Sequence, residues 1–498
     1  MRRISFLLFI LFSCFVLSAQ PQVQAQWRMG DPGQLGHYAV GHTSYLLTDT
    51  NNGNRPVYFM VWYPADPAAV TYSTPPAQYP LDPYTGATYV PITLSSDWEA
   101  FGFDPAYEGL PISQSKPFPL VVFSPGSGLD GWQFLYIGTR LASHGYVVAI
   151  PEPWADGQWP WNPYDDRMTT VLNRPRDLSF IITELLEKNR TRGELLFRSI
   201  DPERIAASGH SLGGYAAYAL AGGDNLVCDS LYLVLAGLET LPYPSNTCVP
   251  ARTDDRIKAI VALDGASSYL HYKELARISV PSLIVGETVD QTEQLFAVFG
   301  LPDPTQFRSF NARPHAAIDR HDSYRVDVNG ASHMSFAILC DALTLLENYG
   351  VLSPADVQYF ENNWPCYTTG LNPMLLSPAE THQVATKYMI AFLDLNFHNR
   401  GSDPWLDRWI LTPEYALTHT PTVQFFNSED CQAALPDHTY FRYRAYQTSS
   451  ECDIQQRKPT GWFASQSSLS DSSLTLRTPA IGLQNLRPPT PFHRPLRP

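Results

Sequence analysis

The sequence predicts an α/β fold: a mainly parallel central sheet with helices on both faces, carrying helical and loop insertions that cap one edge. Three observations carry this reading. Short apolar runs recur, each closing on a polar or glycine-bearing loop: "FPLVVFSPG" from Phe118, "YVVAIPEP" from Tyr146, "RIAASGHS" from Arg204, "IKAIVALDG" from Ile257, "PSLIVGETVD" from Pro281 and "YRVDVNGASH" from Tyr324. Helical stretches separate them, as in "RPRDLSFIITELLEKN", where Leu178, Ile181, Ile182 and Leu185 share one face. Runs apolar on every residue, rather than on alternate ones, suit strands buried on both sides.

In chain order, the first 25 residues read as a signal peptide. "MRRISFLLFILFSCFVLSAQPQVQAQ" has two arginines, an apolar run from Ile4 to Leu17 and a small-residue exit at Val23-Gln24-Ala25. The run is short for a membrane span, so the expectation is export to a secreted or periplasmic location with no integral span afterwards. An N-terminal anchor and acylation at Cys14 are the competing readings. Next, "YAVGHTSYLL" and "PVYFMVWYPA" flank the Asn/Gly-rich "TDTNNGNR" and read as an antiparallel hairpin. "SPADVQYF" and "SPAETHQVATKYMIAFLDLNF" each offer Ser as N-cap, Pro at the first helical position and an acid at the third. In the second, Val384, Tyr388, Ala391, Phe392 and Leu395 form an apolar stripe expected to pack on the sheet. The expected organisation is a domain over 27–398 with cap-like insertions near 222–256 and 337–376. A C-terminal extension over 399–464 and a disordered Ser/Pro/Arg-rich tail over 465–498 follow.

The formal charge of −14 and the lack of a Lys/Arg stripe argue against nucleic acid as a partner. Of seven cysteines, Cys14 leaves with the signal; the other six fall into the local pairs Cys228–Cys248, Cys340–Cys366 and Cys431–Cys452, as expected of disulfides in an oxidising compartment. Without C-x-x-C spacing or a nearby histidine pair, no metal site is expected.

Chemistry concentrates at Gly209-His210-Ser211-Leu212-Gly213. A serine hydroxyl is a weak nucleophile that needs an adjacent base and must stand proud of the fold. A sharp strand-to-helix turn flanked by glycines provides that exposure, and "IAAS" and "LGGYAAYALA" supply the strand and helix it requires. A structural turn is the bland alternative. The base is expected on the loop after the last strand, which ends in Gly330-Ala331-Ser332-His333, so His333 is the candidate; His210 is read as a packing residue. The orienting acid has two candidates, each also readable as a solvated loop residue. Asp290, after the penultimate strand, is favoured, and Asp264, one strand earlier, is the alternative. Oxyanion donors are expected from the N–H groups of Leu212, at a helix start, and Ser127, in "SPGSG" after the strand from Phe118. Trp154, Trp159 and Trp161 are candidates to line a substrate pocket, or else pack on one another.

These residues resemble the α/β-hydrolase superfamily, and within it the secreted dienelactone-hydrolase-like and cutinase-like serine esterases, with kinship to platelet-activating-factor acetylhydrolases. The resemblance spans about Tyr38 to Phe397 and rests on "VWYPA", "VVFSPGSG", "LASHGYVVAIPEP", "RPRDLSFII", "GHSLGG", "IVGETVD" and "NGASHMSF" taken in order. It implies Ser211 as nucleophile, His333 as base and main-chain donors at Ser127 and Leu212. It leaves the acid open: cutinase-like members match Asp290, whereas "ALDG" matches the acetylhydrolase pattern at Asp264. Serine in place of cysteine departs from true dienelactone hydrolases, and a non-aromatic residue at 127 departs from polyester-cleaving enzymes. The expected function is a cofactor-free, exported serine carboxylesterase acting through an acyl-enzyme on a small-molecule or lipid ester. A phospholipid or acetyl-ester hydrolase, a serine peptidase and a non-catalytic binding protein on the same scaffold are the rivals.

Overall fold

A computed structural model describes residues 31–80, 104–153, 167–223, 253–289, 311–363, 376–398 and 403–427, apart from a few single positions within these ranges. The chain divides into two units, Met1–Gln455 and Gln456–Pro498; all described residues belong to the first.

Among the described residues, ten strands form one sheet: β1 (Ala39–Asp49), β2 (Arg55–Ala65), β3 (Tyr107–Glu108), β4 (Phe118–Ser124), β5 (Val147–Glu152), β6 (Ile200–His210), β7 (Ile257–Leu263), β8 (Ser282–Val289), β9 (Ser323–Ser332) and β10 (Val423–Asn427). Their spatial order is β10-β9-β8-β7-β6-β4-β5-β2-β1-β3. The strands from β4 to β9 run parallel to one another; β2 pairs antiparallel with β5 and with β1, β10 pairs antiparallel with β9, and β3 pairs parallel with β1. The β1–β2 hairpin pairs Ala39 with Ala65 through Asp49 with Arg55, and its turn uses Gly53 and Asn54 at positive φ.

The helices are α1 (Leu135–Ser143), α2 (Arg167–Arg190), α3 (Leu212–Tyr218), α4 (Tyr272–Leu275), α5 (Ala312–Ala317), α6 (Leu339–Asn348), α7 (Pro354–Asn363), α8 (Pro378–Phe397), α9 (Pro404–Ile410) and α10 (Pro413–His419). Two apolar layers lie on the two faces of the sheet. In β4, Val121 and Phe123 join the layer beneath α1 and α8, while Leu120 and Val122 join that beneath α2 and α3. β2 and β7 alternate in the same way: Met60, Trp62, Val261 and Leu263 point to the first layer, Phe59, Val61, Ile260 and Ala262 to the second. The predicted faces sit as expected. Leu178, Ile181, Ile182 and Leu185 of α2 are fully buried, as are Tyr388, Ala391 and Phe392 of α8. The Ser377–Glu380 capping box opens α8, and Ser353 and Asp356 exchange the same bonds before α7.

A mixed sheet of this order, covered by helices on both sides, is an α/β-hydrolase fold. The chain beyond α8 continues to build it: α9 and α10 lead into β10, which pairs with β9 from Val423↔Val328 to Asn427↔Tyr324. The feature that positions a site is the reversal at β4, whose neighbours are β5 on one side and β6 on the other. Connections leave the carboxyl ends of β4 and β6 in opposite directions there, which opens a crevice between them. Among the described residues no helix is long and apolar enough to cross a membrane.

Candidate active site

β6 ends at His210, and Ser211 turns the chain into α3 with φ 52° and ψ −119°. A non-glycine residue in this region is strained, and surrounding structure must hold it there. Here the Ser211 N–H donates to the Leu263 carbonyl (3.1 Å), and the Ser211 carbonyl accepts from Gly214 N (2.9 Å), Tyr215 N (3.2 Å) and Ala266 N (2.8 Å). The glycines two positions away are steric necessities. A Cβ on Gly213 would overlap the Ser124 carbonyl and lie 2.7 Å from the Pro125 oxygen; one on Gly209 would overlap Gly213 and lie 2.7 Å from the Ser124 oxygen. Because these obstacles are backbone, no rotamer change relieves them. Gly213→Ala is therefore expected to lower unfolding free energy by about 3 kcal/mol or more in a denaturant melt, whereas Ser211→Ala leaves the melt in place.

The backbone that holds Ser211 also carries an acid. Leu263 ends β7, and the next residue, Asp264, takes φ 42° while its N–H donates to the Val285 carbonyl of β8 (2.7 Å). The Asp264 side chain is almost fully buried. Its Oδ2 pairs with His333 Nδ1, and its Oδ1 accepts from Asn311 Nδ2 at 3.0 Å. The imidazole is thus held by Asp264, the alternative acid; the favoured Asp290 lies outside the described residues. Asn311 was not singled out in the sequence. It reaches the carboxylate because Gly286 of β8 leaves a notch: a Cβ there would overlap Asn311 Nδ2 and sit 2.7 Å from Asp327 Oδ1.

His333 follows β9 and opens a 3₁₀ turn, His333–Phe336, capped by reciprocal bonds between Ser332 and Ser335. Its surroundings fix it from several sides. His210 donates from Nε2 to the His333 carbonyl (3.0 Å), with ring centroids 4.5 Å apart. Burial, reinforced by the neighbouring His333, pushes the His210 imidazole well below its usual pKa, so His210 is a neutral packing group, as its place in the elbow suggested. The Tyr136 hydroxyl donates to the Phe336 carbonyl (2.9 Å), and Ile338 N–H donates to the Gln133 carbonyl (3.0 Å). His382 of α8 is stacked on Tyr136 at 3.8 Å, and burial lowers its pKa to about 3.

The third wall is the segment after β4. Gly126 to Leu129 forms a turn closed by Leu129 N–H to the Gly126 carbonyl (3.4 Å), with Gly128 at φ 72°. Ser127 sits in this turn. The turn presses on the nucleophile, since a Cβ on Gly126 would lie 3.2 Å from Ser211 Cβ and 3.0 Å from His210 Nδ1. Arg174 of α2, itself buried, fastens the segment by donating to Pro125 O (3.1 Å) and Gly126 O (2.9 Å). Leu212, the first residue of α3, carries one of the amides that a helix start leaves without an intrahelical acceptor. The structure therefore brings Ser211, Leu212, Ser127, His333 and Asp264 to the carboxyl edge of neighbouring strands. Trp154, Trp159 and Trp161 lie outside the described residues. Cys340 is disulfide-bonded; Cys228, Cys248, Cys366, Cys431 and Cys452 lie outside the described residues.

Residues 24–156 match the sequence model of the family "Platelet-activating factor acetylhydrolase, isoform II". A platelet-activating factor acetylhydrolase of Canis lupus familiaris is 28% identical over 225 residues, covering 37% of this chain and 50% of the relative. The chain thus spans about half the length of that curated relative. A solved ferulic acid esterase from Streptomyces cinnamoneus shares 21% identity with a TM-score of 0.45, covering 78% of this chain and 97% of that one. The protein has an α/β-hydrolase fold and is related in sequence to platelet-activating factor acetylhydrolases.

Proposed function

We propose that this protein is an exported serine carboxylic-ester hydrolase that works through Ser211, His333 and Asp264. The observation that carries the reading is the hydrogen bond from His333 Nδ1 to the buried Asp264, whose chain neighbour Leu263 also holds the strained Ser211. An imidazole fixed by a carboxylate at Nδ1 presents Nε2 as a base. In the reaction, Ser211 Oγ bonds to the ester carbonyl carbon as its proton passes to His333 Nε2. The carbonyl π electrons move onto oxygen, where the N–H groups of Leu212 and Ser127 stabilise the charge. Collapse breaks the bond to the alkoxy group, which leaves as an alcohol with the His333 proton. Water then attacks the acyl-enzyme and gives a proton to His333; collapse breaks the bond to Ser211 Oγ, which takes the His333 proton, and releases the acid. Asp264 stays ionised throughout and stabilises the imidazolium.

The match over residues 24–156 and the pairing of His333 with Asp264 favour phospholipid or acetyl esters within this class. Chromogenic esters of increasing acyl length, run beside a phospholipid carrying a short acyl chain, test the reading. Turnover of at least one, lost in Ser211→Ala, is expected; a folded protein inert to all of them would refute it. Asn311→Leu keeps the side-chain volume but removes the donor to Asp264. It is expected to lower kcat/KM roughly tenfold, the loss of one hydrogen bond to a charged group.

A further inference from the structure

Glu152 and Asp130 are two acids buried beside the turn that carries Ser127, and the reaction described above uses neither. Glu152 ends β5 and Asp130 precedes the short 3₁₀ turn Gly131–Phe134; they are 1% and 6% exposed. Glu152 Oε2 accepts from Gly131 N–H at 2.8 Å. Asp130 Oδ2 accepts from Trp132 Nε1 (3.2 Å) and Gln133 Nε2 (3.4 Å). The bond to Gly131 sets the Glu152 carboxyl beside Asp130, the residue before it. Two carboxylates buried side by side repel each other and burial disfavours both charges, so one of the two is held as a carboxylic acid. The Trp132 and Gln133 donors favour the charge on Asp130 and leave the proton on Glu152.

We propose that Asp130 and Glu152 are positioning residues for ester hydrolysis, a buried pair holding one proton that anchors the chain bearing Ser127. The inference rests on the ester-hydrolase reading for its catalytic consequence. Arg174 holds the near half of this chain at Pro125 and Gly126, and the acid pair holds the far half at Gly131. The link extends to the base, since the Gln133 carbonyl accepts the N–H of Ile338, five residues beyond His333. Around Glu152 stand Asp130 and Gly131 from the loop, Arg174 from α2, and Tyr58 and Met60 from β2. Burial first, then the Asp130 charge, raise Glu152 well above the usual carboxylate range, while the Gly131 N–H and Arg174 oppose them. A carboxyl raised in the folded state contributes stability that is fully present below its unfolded value. That stability is lost as pH rises through the folded value.

The test compares full-length wild type, Glu152→Gln, Glu152→Ala and Ser211→Ala by thermal melts and ester kinetics across pH 5 to 9. Gln can accept from Gly131 and donate to Asp130, as a protonated acid can; Ala can do neither. Glu152→Ala is expected to lower kcat on the order of tenfold or more with little change in KM, the cost of a displaced donor loop. Glu152→Gln is expected to restore most of that kcat and to show a shallower fall of Tm with rising pH than wild type. A Gln variant as impaired as the Ala variant, or one whose Tm falls with pH in parallel with wild type, would overturn the proposal. Wild type without ester turnover would refute the ester-hydrolase reading, and the melts would still decide whether the pair holds a proton. Ser211→Ala should melt as wild type at every pH, which separates loss of the nucleophile from loss of the anchor.

Discussion

Replacing Ser211 by alanine is expected to lower kcat on an ester substrate by roughly 10⁶-fold while leaving the protein folded. The size follows from how the residues depend on one another. Without the hydroxyl there is no acyl-enzyme, and His333 has no serine proton to take. Only the Leu212 and Ser127 donors and substrate binding remain, which typically leaves about 10³–10⁴-fold over water. Folding is spared because Ser211 is held through its main chain: its N–H and carbonyl make the bonds to Leu263, Gly214, Tyr215 and Ala266, and alanine keeps all four. Steady-state kinetics paired with a thermal melt checks both halves. A variant that retains wild-type turnover would remove Ser211 from the reaction.

Asp264→Asn is expected to reduce kcat by roughly 10⁴-fold near neutral pH, with Asp290→Asn changing it less than about threefold. The geometry gives the reason. Asp264 presents two acceptors, one to His333 Nδ1 and one to Asn311 Nδ2. An asparagine that turns its oxygen to Asn311 presents an NH₂ to the imidazole. His333 then keeps its Nδ1 lone pair toward residue 264 and carries its proton on Nε2, the nitrogen that must receive the serine proton. The wrong tautomer is preferred without any displacement of the ring. Turning the other way sets two NH₂ groups, that of the introduced asparagine and that of Asn311, against each other. If Asp290→Asn rather than Asp264→Asn abolishes turnover, the acid assignment fails.

The fork between these two acids shows where sequence reasoning stops. β7 and β8 are parallel neighbours, so Asp264 and Asp290 both follow strands that end at the same edge of the sheet. Strand-end spacing treats them alike. What sets Asp264 beside His333 is its backbone at φ 42° and a second oxygen held by Asn311, 47 positions away, through a gap left by Gly286. Local pattern carries none of that. The positions of Ser211 at a strand-to-helix turn and of His333 after β9 were legible because their requirements are local: a strand, glycines that must be small, and a loop that closes an apolar run. The two-faced burial of β2, β4 and β7 was legible for the same reason. β10 was harder to see, since "VQFFN" is five residues long and becomes a strand only by pairing with β9. Arg174, Asp130 and Glu152 were not singled out in the sequence, because burial and partnership come from distant chain meeting at the reversal beside β4.

The most direct measurement is mass spectrometry of the intact, full-length protein after treatment with a fluorophosphonate, which phosphorylates a serine only when a base activates it. The account predicts one adduct, on the peptide containing Ser211, absent in Ser211→Ala and formed far more slowly in His333→Ala and Asp264→Asn. Ester turnover by a protein whose Ser211 stays unmodified, or an adduct that forms as fast without His333, would contradict it.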